Sequence, residues 1–214
     1  MNRNLDHLVL AAEALEAGSP PVERVLGVRL AAGGQHARMG THNRLLRLGE
    51  RAYLEVIAID PEGSPPPHRR WFGLDDPGTR TRLDDGPQLV HWVAAVETTE
   101  LPELPFDVGR WEQFQRGDLS WQLTVRSDGA LPGDGVVPSL ICWGGAAHPA
   151  ARLPDAGVTL QHLELEHPRA TDVQRQLDLL GLPYRCSASG VPRITVHLRT
   201  PAGTRTLHST GPIR

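Results

Sequence analysis

Two short stretches of this chain echo each other, and that echo limits the fold more than any other feature. Leu5-Asp6-His7-Leu8-Val9-Leu10-Ala11-Ala12 reads like Leu89-Val90-His91-Trp92-Val93-Ala94-Ala95-Val96, with a histidine at the same place in each. A third stretch, Leu160-Gln161-His162-Leu163-Glu164-Leu165, has the same form. Each reads as a short apolar strand with a histidine near its start, so the chain is built from a repeated strand-led unit. The spacing agrees. His7 lies 20 residues before Gly27 and His162 lies 19 before Gly181, and both glycines follow a leucine.

The first unit reads as β-α-β-β-β. Residues 5–12 form its leading strand. Ser19-Pro20-Pro21 looks like a helix cap followed by proline at the first helical position, with the helix stopping at Gly27. Residues 29–40 are a weak strand interrupted by Gly33-Gly34. Asn43 to Leu48 is a second strand, and the β-branched run from Tyr53 to Ile59 is the clearest strand in the chain.

The prolines between Pro61 and Pro67 close this unit, and residues 68–86 read as an irregular crossover with a helix near Trp71. The second unit keeps its leading strand and a hairpin, in which Leu119, Trp121, Leu123 and Val125 share one face, but its helix is degraded. Val136 to Trp143 is a strand that Pro138 marks as an edge or a bend. In the third unit Thr171 and Gln174 resemble a capping box, Gly181 ends the helix, and one strand is missing. The units span 1–65, 88–150 and 151–214, with 66–87 as the crossover.

At 214 residues the chain can bury roughly 70% of the surface of its unfolded form, so it needs neither disulfides nor a structural metal to fold. Two cysteines fit a reducing compartment. All 22 basic residues are arginine, which excludes Schiff-base chemistry on a lysine. A net charge of −3 gives no reason to expect a nucleic acid or an anionic membrane as partner. There is neither a signal-peptide pattern nor an apolar run of ~18 residues, so the expected location is cytoplasmic. A small-molecule ligand is the expected partner, and a homodimer is the one protein assembly considered.

Paired β-α-β-β-β units with a histidine on the first strand and a glutamate on the last resemble the vicinal oxygen chelate superfamily. That group includes glyoxalase I, extradiol dioxygenases, methylmalonyl-CoA epimerase and antibiotic-binding resistance proteins. More narrowly, the chain resembles the glyoxalase-like domain proteins. Leu5-Asp6-His7-Leu8-Val9, Gly40-Thr41-His42-Asn43-Arg44-Leu45, Tyr53-Leu54-Glu55-Val56-Ile57, the 118–123 strand, and Pro138 to Trp143 followed by His148-Pro149 carry the likeness. It implies an α+β fold in which paired βαβββ modules form an open cup-shaped mixed sheet, here with an appended C-terminal partial βαββ unit.

The resemblance also implies one divalent metal in the cup, whether Fe, Mn, Ni or Zn. His7 and Glu55 match the first module's ligand positions, and His91 matches the second module's histidine. The second glutamate position falls near Ser139 to Cys142, where no carboxylate exists. Two histidines and one carboxylate remain, a set suited to Fe(II) with open positions.

Glu55 breaks an otherwise apolar strand, and a lone buried carboxylate is costly unless paired or metal-bound. His162 competes with His91 for its role, although Glu164 and Glu166 give its face a solvated look. His42 and His148 are the candidate acid–base groups, and Asn43, Trp121, Trp143 and Arg110 the candidate substrate contacts. The leading expectation is a metal-dependent lyase, isomerase or dioxygenase acting on a small oxygen-chelating metabolite. The alternative is a metal-free protein that binds a small molecule or antibiotic.

Overall fold

In the computed structural model, residues 4–145 and 148–213 are described. The first module runs β1 (Leu5–Ala11), α1 (Leu15–Leu26), β2 (Ala31–His36), β3 (Thr41–Gly49) and β4 (Ala52–Ile59). A short helix, α2 (Pro77–Leu83), follows in the crossover. The second module is β5 (Gln88–Ala95), β6 (Arg110–Arg116), β7 (Leu119–Val125) and β8 (Ser139–Trp143). No helix forms between β5 and β6, as the proline-rich sequence there implies. The C-terminal unit is β9 (Thr159–His167), α3 (Ala170–Leu179), β10 (Cys186–Ala188), β11 (Arg193–Thr200) and β12 (Gly203–His208).

The two modules share one eight-stranded sheet in the order β2-β3-β4-β1-β5-β8-β7-β6. β1 lies parallel to β4, β5 lies parallel to β8, and the leading strands β1 and β5 meet antiparallel at the centre. The sheet curls until its two edge strands approach. The Arg38 guanidinium, from the turn after β2, donates to the Gln113 carbonyl of β6 and pairs with Glu112 at 3.2 Å. The α+β cup and the appended C-terminal unit are therefore as expected.

Several local details differ from the sequence reading. α1 begins at Leu15, so Pro20 and Pro21 lie inside it. The two missing amide donors orphan the carbonyls of Glu16 and Ala17, and both residues are exposed, where water serves them. Pro138 precedes β8, an interior strand of the sheet rather than an edge. α3 is capped at Arg169 with no side-chain cap bond. Gln174 instead accepts from the Cys186 amide at 3.0 Å and so ties α3 to β10. The C-terminal unit has one strand more than expected. β12 leaves little trace in the sequence because Leu207 is its only large apolar residue.

The faces of the large sheet have separate cores. Leu8, Leu10, Leu54, Val56, Trp92 and Leu140 look outward, against α1 and against Leu165, Val173, Leu177 and Val196 of the C-terminal unit. Trp92 is fully buried in this layer, donates to the Val136 carbonyl at 2.8 Å and meets the Tyr184 ring edge-on. Trp92→Ala is expected to destabilise the protein by about 3–5 kcal/mol. Urea unfolding measures this, and a loss under 1 kcal/mol would contradict the packing described.

The concave face carries His7, Val9, Glu55, Ile57, His91 and Val93. It is filled from the crossover by Trp71, Phe72, Leu74 and Leu83. The crossover is thus a plug as well as a connection. Phe72 adopts a left-handed conformation (φ 56°) that a bulky side chain disfavours. α2 starts only after Trp71, Phe72 and Leu74 and adds Leu83 to the plug; it is capped by Asp76, which accepts from the Thr79 amide, with Pro77 in its first turn. Among the described residues no helix is long and apolar enough to cross a membrane.

Candidate active site

β1 delivers the central pair of side chains through an irregularity. Leu5 faces Ala94 and His7 faces Val93 across the β1–β5 pairing, so Asp6 is an extra residue, a bulge. Regular alternation would turn Asp6 away from His7. Instead its Oδ1 lies 2.7 Å from His7 Nδ1. The other oxygen, Oδ2, accepts from Trp143 Nε1 at 2.7 Å and from His148 Nε2 at 3.0 Å.

Asp6 is fully buried. Burial alone would raise its pKa, but the hydrogen bonds from His148 and His7 and their charges outweigh it and hold the carboxyl at about 2. An ionised Asp6 keeps the proton of His7 on Nδ1 and leaves Nε2 with a free lone pair. His148 is held in a definite tautomer too, because its Nδ1 accepts from the Ala150 amide at 3.2 Å. Both nitrogens of His148, the expected acid–base group, are thereby engaged, Nε2 by Asp6 and Nδ1 by the Ala150 amide.

Glu55 arrives from β4, opposite Val9. It is 4% exposed and points into the cup, with Oε2 3.7 Å from His7 Nε2. Its other oxygen accepts from Asn43 Nδ2 at 2.5 Å. The Tyr53 ring stacks on His7 at 4.7 Å, and the Phe72 ring meets His7 edge-on at 6.4 Å. Burial, then the charges of Asp6 and Glu55, keep the Tyr53 hydroxyl protonated well above its usual range.

Asn43 extends this network toward β2. It also lies 3.4 Å from His36 Nε2, and its Oδ1 accepts from the Gly34 amide at 2.8 Å. Burial, then the nearby Arg116 charge, lower the His36 pKa to about 3, so the ring is neutral. The weak strand at Gly33-Gly34 now has a reason. A Cβ on Gly33 would stand 2.0 Å from Asn43 Oδ1, and one on Gly34 2.9 Å from Arg116 Cδ.

His91 shares the concave face but does not join the pair. Its Nδ1 is 2.9 Å from the Gly135 carbonyl, and its Nε2 accepts from the Ser139 amide at 3.0 Å with the Ser139 hydroxyl also at 3.0 Å. Both nitrogens are consumed internally, and burial lowers its pKa to about 4. Ser139 falls where the second module's carboxylate was sought. Among the described residues no three His, Cys, Asp or Glu side chains are grouped to hold a metal ion. A centre made of His7, Glu55 and His91 therefore does not fit this donor set.

The remaining candidates separate. Trp121 and Trp143 line the cup wall with their rings 5.5 Å apart. His42 pairs across the sheet with Ala58, an outward-facing core residue, and so points away from Asn43 and Glu55. Arg110 is exposed at the far end of β6, about 20 Å along the strand from Arg116 at ~3.3 Å per residue. His162 is exposed on the small sheet, beside Glu164 and His197, and does not face His7.

Sequence reasoning missed Asp6, His36, Tyr53, Phe72 and Arg116. Of these only Asp6, an acid inside an apolar strand, carried a signal of the kind that singled out Glu55.

Comparison with known proteins agrees with this architecture. The glyoxalase-like domain family matches residues 5–181. No curated protein is detectably similar. A hypothetical protein from Staphylococcus aureus shares the fold at a TM-score of 0.55 and 13% identity, over 88% of this chain and 86% of that one. A variant of 4-hydroxymandelate synthase from Streptomyces coelicolor aligns at 0.46 and 16% identity, over 97% of this chain and 63% of that one. Methylmalonyl-CoA epimerase from Mycobacterium tuberculosis aligns at 0.38 and 16%, over 67% and 89%. The chain belongs to the glyoxalase-like domain family.

Proposed function

We propose that this protein is an enzyme of isomerase or lyase type that moves a proton on a small oxygenated molecule, with His7 and Glu55 as the reacting groups. One observation carries the reading. His7 is oriented and polarised by Asp6 through Nδ1, while its Nε2 lone pair is left facing only a buried carboxylate. An imidazole held this way is a general base. Nε2 takes a proton from a carbon next to a carbonyl, and the electron pair moves to the carbonyl oxygen. Glu55, 3.7 Å away, is the second proton site.

The divalent metal expected from the sequence is assigned no step, because both ring nitrogens of His91, the second module's expected ligand, are engaged by Gly135 and Ser139. Dioxygen chemistry loses its support for the same reason. His7 is 4% exposed beneath Phe72, so a substrate reaches Nε2 only after the Trp71–Phe72 plug lifts.

The test is proton exchange. The protein is incubated in D₂O with a panel of 2-hydroxy and 2-oxo acids and hydroxyketones, and loss of carbon-bound proton signals is followed by NMR. Exchange with at least one of them is expected. His7→Asn and Glu55→Gln should each lower its rate by about 10²–10⁴-fold. Exchange unaffected by either change would sink the assignment. The aromatic wall favours a second reading, a metal-free binding protein. Tight ligand binding with no exchange on any compound would decide for it.

A further inference from the structure

Arg116 is a cation with no acid. Two other arginines near the cup are neutralised, Arg38 by Glu112 and Arg70 by Asp75. Arg116 forms no ion pair with any described residue. Its Nη1 makes two long contacts, 3.4 Å to His36 Nε2 and 3.5 Å to Asn43 Oδ1. Its Nε and Nη2 have no hydrogen-bond partner among the described residues. The guanidinium edge that best matches a planar oxyanion is therefore open.

The surroundings are built to hold it there. β2 gives up side chains at Gly33 and Gly34, where a Cβ would meet Asn43 and Arg116 respectively. The β2–β3 pairing slips between Ala32 and Gln35 to fit this pair of glycines. His36, neutral because burial and the Arg116 charge hold its pKa at about 3, accepts from the guanidinium without neutralising it. Asn43 links Arg116 to Glu55 through one amide group. The aromatic wall of Trp121 stands next to His36, with ring centroids 6.5 Å apart.

We propose that Arg116 is a substrate-anchoring residue, and that the ligand of this cup is a small aromatic carboxylate whose charged end it grips. The molecule's carboxylate lies on the Nε and Nη2 edge, its ring takes the place of the lifted Trp71–Phe72 plug against the aromatic wall, and Asn43 sets the distance to Glu55. This deepens the proposed function and rests on it for what happens to the molecule, but not for its binding.

Calorimetric titration of the full chain with benzoate, benzamide and inorganic phosphate tests the inference. Benzoate should bind; benzamide, which lacks the charge, should bind about 10- to 100-fold more weakly, the factor a hydrogen bond to a charged group is worth, and phosphate, which meets the fork but not the aromatic wall, should also bind more weakly. Arg116→Gln should lower benzoate affinity by about the same factor, and Arg116→Lys by less, because an ammonium keeps the charge although it offers no fork. Gly34→Ala, which displaces the guanidinium while keeping its charge, should also weaken benzoate. Equal binding of benzoate and benzamide, phosphate binding tighter than benzoate, or Arg116→Gln binding as well as the natural chain would each overturn the proposal.

His7→Asn separates the two claims. It should retain benzoate binding while losing proton exchange. Arg116-dependent binding with no exchange on any acid would end the enzyme reading and leave the anchor in place.

Discussion

Asp6→Asn is expected to lower proton-exchange activity by about 10³–10⁴-fold while leaving a folded protein. The argument is one of tautomers. Asp6 accepts from three donors, on His7, Trp143 and His148. An asparagine keeps one acceptor oxygen and turns an NH₂ toward whatever stands on the other side. If the oxygen serves Trp143 and His148, the NH₂ faces His7 Nδ1, which must then become an acceptor. The proton moves to Nε2, and the lone pair that faces Glu55 is lost. Asp6→Ala differs in kind. It leaves three buried donors without an acceptor and should cost about 3–5 kcal/mol of stability as well as the activity. Exchange rates by NMR and urea midpoints for both variants separate the two losses. An asparagine variant with near-natural exchange would show that His7 does not act through Nε2.

What the sequence made legible follows from what a strand records. β1, β4 and β5 are buried on both faces, so they appear as unbroken apolar runs, and Glu55 and His7 stand out against them. Repetition then placed His7 and His91 on one face. Alternation could not reveal Asp6, because its orientation comes from a bulge that exists only when β1 pairs with β5. His91 looked equivalent to His7, yet its fate is decided by Gly135 and Ser139, more than 40 residues away. Arg116 was one arginine among 22 basic residues, and what sets it apart is its place against His36 and Asn43 of the first module with no acid paired to it, a property of the fold alone. Phe72 was hidden in a segment with no periodicity, since plugs are fixed by the cavity they fill.

The same burial that removes His91 from metal binding makes the protein sensitive to acid. Stability should fall steeply between pH 6.5 and pH 4. In the unfolded chain His91 takes up its proton near pH 6.5, whereas in the folded protein burial delays protonation to about pH 4. Between these values the unfolded state binds more protons, so acidification favours unfolding. For His91 the stability is fully present above pH 6.5, and about 3 kcal/mol of it is gone by pH 4. His36, with a folded value of about 3, acts in the same direction over the same range. Asp6 follows lower down. Its folded value of about 2 lies below the ordinary 3.8, so its contribution is complete above pH 4 and is lost as pH falls toward 2. Urea unfolding at pH 7.5, 6, 5 and 4 should give a slope approaching two protons near pH 5. The His91 part alone should lower Tm by about 6–12 °C between pH 7.5 and 4, at ~2–4 °C per kcal/mol for a chain of this size. His91→Gln should remove one proton from the slope while lowering stability at pH 7.5, because Gly135 and Ser139 lose a well-placed partner. A flat profile from pH 7 to 4.5 would mean that His91 and His36 titrate in the folded protein as they do in water. His91 would then be open to solvent and to metal, and the case for a cup without a three-ligand centre would fall with it.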